Sequence, residues 1–151
     1  MKEVSNDGIV YLGGDIVSEI IENNIQQYQT YDVSFKEIDI IKDNLPMVDM
    51  IFCKDFLQHL SHENIFKVIH NFKKSNSKYL LTTTYPLTWY NWDIFDGDYR
   101  PLNLRIKPFN FPAPILKTHE TSIKYKMEKD KYMYLYKLED LKTDGYRNKK
   151  I

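Results

Sequence analysis

The run Val48-Asp49-Met50-Ile51-Phe52-Cys53-Lys54-Asp55-Phe56-Leu57-Gln58-His59-Leu60 constrains this chain most. It is apolar and β-prone to Cys53, then polar, then apolar again at helical spacing. That order predicts a buried strand ending in a short turn that feeds a helix. In open α/β sheets, small ligands bind at this edge, outside the carboxyl ends of the strands. Two strand-to-turn units precede it, Gly8–Ile16 and Val33–Asp39, and their tips carry Asp15 and Asp39. Three acidic tips in succession predict a nucleotide-like ligand.

The pattern continues along the chain. A helix is expected over about Ser18–Tyr28, with Val17, Ile20, Ile21, Ile25 and Tyr28 on one face. Asp43-Asn44-Leu45-Pro46 is a turn, followed by a strand over Met47–Cys53. Ser61 is the expected N-cap of a second helix carrying Ile65, Val68, Ile69 and Phe72 on its apolar face. Lys78–Tyr85 reads as the next buried strand, ended by Pro86. Strands alternating with helices predict an α/β fold with a right-handed, mostly parallel sheet. Residues 87–114 break the alternation with a long loop rich in aromatic residues and proline. Leu116–Lys126 and Lys131–Leu138 then read as an antiparallel hairpin turning at Glu128, Lys129 and Asp130. The whole of residues 1–151 is expected to form one domain, with a flexible tail over 143–151.

Composition excludes several classes. Lysine plus arginine and aspartate plus glutamate number 21 each, so no global field draws the chain to nucleic acid or to an anionic membrane. No apolar run approaches the roughly 20 residues of a membrane span, and no secretory h-region opens the sequence. The lone cysteine, Cys53, cannot form an intrachain disulfide, and its apolar setting predicts an inert buried thiol. These features fit a cytoplasmic protein. No set of histidines and carboxylates has firm metal spacing, so no metal is expected.

The segments Tyr11–Ile16, Phe35–Ile40, Asp49–Leu60, Tyr79–Pro86 and the final hairpin, in that order, resemble the class I S-adenosylmethionine-dependent methyltransferases. Asn91–Leu104 also resembles an uncharacterised bacterial subgroup of them. The resemblance implies a Rossmann-like sheet of seven strands whose last two form the antiparallel hairpin. One departure stands out. The family opens with a strand and a glycine-rich turn that cradles the methionine part of the cofactor, and this sequence begins at what would be the second strand. Gly13-Gly14 does not replace that turn, because it lies beside Asp15. Three explanations stay open: a truncated or split gene product, loss of the cofactor, or another element filling the gap.

The resemblance implies S-adenosylmethionine as cofactor. It implies Asp15 as acceptor for the ribose hydroxyls, the N-cap role being the alternative, and Asp39 as partner of the adenine amino group, a simple turn carboxylate being the alternative. It also implies the Ile40 N–H as donor to an adenine ring nitrogen, and Lys54 as lining the cofactor. On the acceptor side, Asp55 orients a nucleophile or takes a proton, and Lys54 is alternatively its surface ion-pair partner. His59, one turn further, is a candidate general base, a packing or capping residue being the alternative. Arg100 is a candidate clamp for a carboxylate or phosphate. The loop aromatics either stack on a planar acceptor or pack on the sheet. The expected function is methyl transfer to a small-molecule or protein acceptor. The alternative is a non-catalytic methyltransferase-like scaffold. In either case the missing strand invites self-association or a partner subunit.

Overall fold

The structure, a computed structural model, describes residues 8–120 and 129–142. The chain divides into two compact units, Met1–Asp43 and Asn44–Ile151. Each is described by itself.

The first unit is a parallel β–α–β hairpin of elements. Strand β1 (Tyr11–Asp15) leads through helix α1 (Ser18–Tyr28) to strand β2 (Val33–Glu37), and the two strands pair in parallel with Asp15 opposite Glu37. Gly13 is required by packing. A Cβ there would stand 2.6 Å from Cδ1 of Phe35. Helix α1 has the expected bounds, but only Ile21 of its apolar stripe is buried; Val17, Ile20, Ile25 and Tyr28 are exposed. Two strands about 4.8 Å apart are too narrow to cover a whole helical stripe. Strand β2 ends two residues before the expected Asp39, because Asp39 opens a turn: its backbone carbonyl accepts from Lys42 N and Asp43 N.

The second unit holds a four-stranded sheet in the order β3-β4-β6-β5, from β3 (Met50–Cys53), β4 (Tyr79–Thr84), β5 (Leu116–His119) and β6 (Tyr132–Lys137). β3 and β4 are parallel; β6 is antiparallel to both β4 and β5. A mixed sheet with an antiparallel hairpin is thus present. The remainder of the expected strand beyond Glu120, the Glu128 end of its turn and the 143–151 tail lie outside the described residues. Helix α2 (His62–Lys74) joins β3 to β4, preceded by a single 3-10 turn over Leu57–His59. Ser61 caps α2, its Oγ accepting from Asn64 N. Ile65, Val68, Ile69 and Phe72 are all buried as the spacing predicts. At the other end Asn76 takes a left-handed conformation, φ 59°, which turns the chain into β4.

One face of this sheet is closed. Leu80, Thr82, Thr84, Tyr134 and Tyr136 are buried on it, together with the side chains of α2 and Leu102, Leu104, Phe109 and Phe111 from the long loop. Phe111 meets Tyr136 edge-on at 5.3 Å, and Phe109 packs on Phe66 of α2 at 5.3 Å. The opposite face carries the cross-strand row Phe52–Leu81–Leu135–Leu116. The two ends of that row, Phe52 and Leu116, are 55% and 54% exposed.

The loop of residues 87–114 therefore divides in two. Its second half, from Arg100 to Phe111, packs into the core, as the packing alternative required. Its first half holds Trp89, Tyr90 and Phe95 in solvent.

Candidate functional site

The first unit has its own strand tips. Asp15 closes β1, and its Oδ1 accepts from Val17 N at 2.9 Å, at the entry to α1. Asp15 also lines an open cleft of about 230 Å³ with Gly13, Gly14, Asn24, Tyr28 and Phe35. Asp39 is on the same edge, since Ile38 N donates to Asp15 O at 2.9 Å, but Asp39 does not line that cleft. Its Oδ1 accepts from Ile41 N and its Oδ2 pairs with Lys42 Nζ, both at 2.9 Å. The Lys42 bond, above all, holds its carboxyl below the usual range. Ile40, between Asp39 and Ile41, is half-buried.

The carboxyl edge of β3 and β4 carries a denser arrangement. Asp55 follows β3 with φ 52°, a left-handed conformation that asparagine and aspartate tolerate better than other side chains. Its backbone N–H donates to Thr83 Oγ1 of β4 at 2.9 Å, which fixes the turn. Its carboxylate accepts from Gln58 Nε2 at 3.0 Å and from Lys131 Nζ at 2.7 and 2.9 Å. Lys131 immediately precedes β6 and is buried, and its Nζ also stands 3.6 Å from Glu120 Oε2. Lys54 pairs with Glu120 Oε1 at 2.6 Å, not with Asp55. Two carboxylates and two ammonium groups thus close a box over the strand ends. Burial pushes the Asp55 carboxyl up, but the hydrogen bonds from Lys131 and Gln58 and the charges of Lys131 and Lys54 outweigh it, leaving it below its usual range.

His59 ends the 3-10 turn. Its Nδ1 is 2.9 Å from Asp98 O, and its ring lies 5.5 Å from that of Tyr99. Tyr99 Oη donates to Tyr85 Oη at 3.3 Å, just past the end of β4. His59 therefore faces the loop, and Gln58, one residue earlier, faces Asp55.

Arg100 is placed differently from a substrate clamp. Its guanidinium is fully buried, with Nη1 donating to Leu60 O at 2.8 Å. Burial lowers its pKa, against the opposing charge of Asp93. A group enclosed beneath the start of α2 is not presented to a molecule arriving from solvent. The neighbouring loop aspartates are occupied as well. Asp93 Oδ1 accepts from His62 N and Asp96 Oδ1 from Ser61 N, both at 2.7 Å, and Asp96 Oδ2 accepts from Asn64 Nδ2. They cap α2, where a negative charge complements the helix dipole.

Sequence reading missed Lys131, Glu120, Gln58 and Thr83. Lys131 and Glu120 are distant from Asp55 in the chain, and only the antiparallel register of β5 and β6 brings them to the β4 end, with Thr84 and His119 both opposite Tyr132. Lys131 directly follows the predicted hairpin turn, but Glu120 falls inside the predicted strand Leu116–Lys126, and nothing in the sequence pattern marks the two as partners. Cys53 is buried, and its thiol is pushed up to about 12 by desolvation. Among the described residues no group of three histidines, cysteines or carboxylates could hold a metal, and no helix is long and apolar enough to cross a membrane.

No family model matches the sequence, and no curated protein matches it. Solved structures do. PigF, solved with SAH, aligns with a TM-score of 0.57 at 12% identity over 87% of this chain and 49% of its own. Human N-acetylserotonin methyltransferase, in complex with SAM, aligns with a TM-score of 0.54 at 13% identity over 82% and 39%. An S-adenosylmethionine-dependent methyltransferase from Mesorhizobium loti aligns with a TM-score of 0.53 at 11% identity over 83% and 79%. The likeness establishes the fold: an α/β fold shared with SAM-dependent methyltransferases. The chain spans about half of PigF and two-fifths of the human enzyme.

Proposed function

We propose that this chain is a methyltransferase-like domain that transfers a methyl group from S-adenosylmethionine to an acceptor held at the Asp55 edge. The observation carrying the proposal is the Asp55 turn itself. A carboxylate is fixed in a left-handed conformation at the carboxyl end of a parallel strand and kept ionised by Lys131 and Gln58. Such an investment at a strand end fits a ligand site better than a surface turn.

The first unit fits part of the cofactor. Asp15 keeps one carboxylate oxygen without a partner among the described residues, and the cleft beside it has the size of a sugar ring rather than of a drug-sized ligand. By the resemblance, Asp39 would accept a hydrogen bond from the adenine amino group, and its pair with the largely exposed Lys42 would cost little to give up. The roles of Ile40 and Lys54 toward the cofactor rest on the resemblance alone. Among the described residues β1 pairs only with β2, and β3 only with β4.

When bound, the cofactor supplies a methyl group activated by its sulfonium. The chain's own residues orient and dehydrate the acceptor. Asp55 accepts a hydrogen bond from the acceptor's nucleophile and thereby aims it. His59, whose ring faces the loop, remains the candidate for taking its proton by the resemblance alone.

A second reading is a non-catalytic scaffold that binds a partner or self-associates. It is favoured by the apolar Phe52–Leu116 row, which lies open on one sheet face. A thermal-shift titration separates the two. S-adenosylmethionine and S-adenosylhomocysteine should each raise the melting temperature. No shift at about 1 mM of either favours the scaffold.

A further inference from the structure

The 3-10 turn that follows Asp55 is too short to hold itself. Leu57–His59 is closed by His59 N to Phe56 O and Leu60 N to Leu57 O, and a single turn of this kind is marginal alone. The next three carbonyls would be orphans, as at any helix end. The long loop takes all three. Gln58 O accepts from Arg100 N at 3.2 Å, His59 O from Gly97 N at 2.8 Å, and Leu60 O from Arg100 Nη1 at 2.8 Å. Residues 97–100 thereby fix the turn.

Arg100 supplies two of those three bonds. Its side chain is fully buried, and its Nε and Nη2 find no hydrogen-bond partner among the described residues. A charge buried on so few bonds is a costly filler, and an apolar side chain would occupy the space at less cost. What the guanidinium adds is its reach to Leu60 O.

The turn in its place presents Gln58. That side chain is buried, and its Nε2 donates to Asp55 Oδ1 at 3.0 Å. Lys131 Nζ bonds both oxygens of the same carboxylate, Oδ1 at 2.7 Å and Oδ2 at 2.9 Å. Among the described residues Oδ1 thus carries two bonds and Oδ2 one. Each carboxylate oxygen accepts about two, so Oδ2 keeps the open position.

We propose that Arg100 and Gln58 are positioning residues. The loop holds the turn, the turn holds the Gln58 amide, and the amide occupies Asp55 Oδ1 so that Oδ2 is left to aim the acceptor. The acceptor's nucleophile must then bring its own hydrogen, as a hydroxyl or an N–H, because an ionised carboxylate only accepts. The inference rests on the Asp55 edge being the acceptor side.

The test is the titration of Asp55 in the full chain, followed by the carboxyl-carbon NMR signal of aspartate-labelled protein and assigned with Asp55→Asn. Gln58→Met removes the donor at near-constant volume, and the Asp55 midpoint should rise. Arg100→Met removes no bond to Asp55, yet it should move the midpoint the same way. In the Gln58→Met background it should add nothing, because the relay is already cut. A merely structural Arg100 would lower stability and leave the midpoint in place. Gly97→Val asks the same question from the other end of the grip with Arg100 intact, and it serves if Arg100→Met does not fold. Gly97 is exposed with φ 95°, which a branched side chain resists. An unmoved midpoint in Gln58→Met overturns the proposal, and so does one in the folded loop variant. A rise of equal size in both backgrounds overturns it too, since the effect would then bypass Gln58. The titration needs neither cofactor nor acceptor. Its failure sinks the relay and leaves the methyl-transfer reading standing, whereas failure of S-adenosylmethionine to bind sinks that reading and leaves the relay.

Discussion

Replacing Lys131 with methionine removes a charge and keeps most of the side chain's volume. Lys131 Nζ lies 2.7 and 2.9 Å from the two oxygens of Asp55 and 3.6 Å from Glu120. At an effective dielectric near 20, unit charges at this range attract by roughly 5 kcal/mol. Most of that is offset by the desolvation of a buried ammonium. The Asp55 side chain is 37% exposed, so solvent screens the pair further. The expected net cost of Lys131→Met is therefore about 2 kcal/mol at pH 7. The sign of its pH dependence follows from Asp55. Its folded carboxyl is held below its usual range, so the pairing stabilises the fold above the unfolded pKa, about 3.9, and fades as pH falls through the folded value. Without Lys131 the largest remaining influence is burial, which favours the protonated acid. The stability gap between wild type and variant should narrow as pH falls from 5 to 3.5. Urea denaturation across that range measures it. A gap that stays constant with pH, or a cost below about 0.5 kcal/mol at pH 7, would refute the ionised Asp55–Lys131 pair.

Three further outcomes are expected. Gly13→Ala places a Cβ 2.6 Å from the Phe35 ring and should cost about 1–3 kcal/mol, with partial recovery in Gly13→Ala/Phe35→Leu; urea melts of both variants check it. Asn91→Ala leaves Asn103 N and two loop carbonyls unsatisfied and should cost about 3 kcal/mol, while the fluorescence anisotropy of the two tryptophans, both in this loop, falls. The Cys53 thiol, with its pKa near 12, should resist iodoacetamide at pH 8 in the folded chain and react only after denaturation; rapid native labelling would show that the site is open.

Much of the fold was legible because strands and helices write different periods into a sequence. Helix α2 is the clearest case: a serine cap, four apolar positions at helical spacing and lysines at its end all point the same way, and the structure buries each expected residue. Helix α1 was legible in its bounds but not in its burial, since periodicity gives a stripe and says nothing of what covers it. The strand tips were legible too, including Asp55. Its partner was not. Lys131 reaches Asp55 only through the register of an antiparallel strand, and register is a tertiary property. Arg100 shows the converse. A charged residue in a polar loop reads as exposed, yet Arg100 fills the space beneath α2 while Trp89 and Phe95, apolar by nature, stand in water.

The claim that the strand tips form part of an adenosine pocket has a direct measurement. Titrating the chain with S-adenosylmethionine in a calorimeter should give saturable one-site binding, and Asp15→Ala should weaken it by about 1–3 kcal/mol, the usual loss for a hydrogen bond to a charged group. Heats indistinguishable from dilution, or equal affinity in the variant, would contradict it.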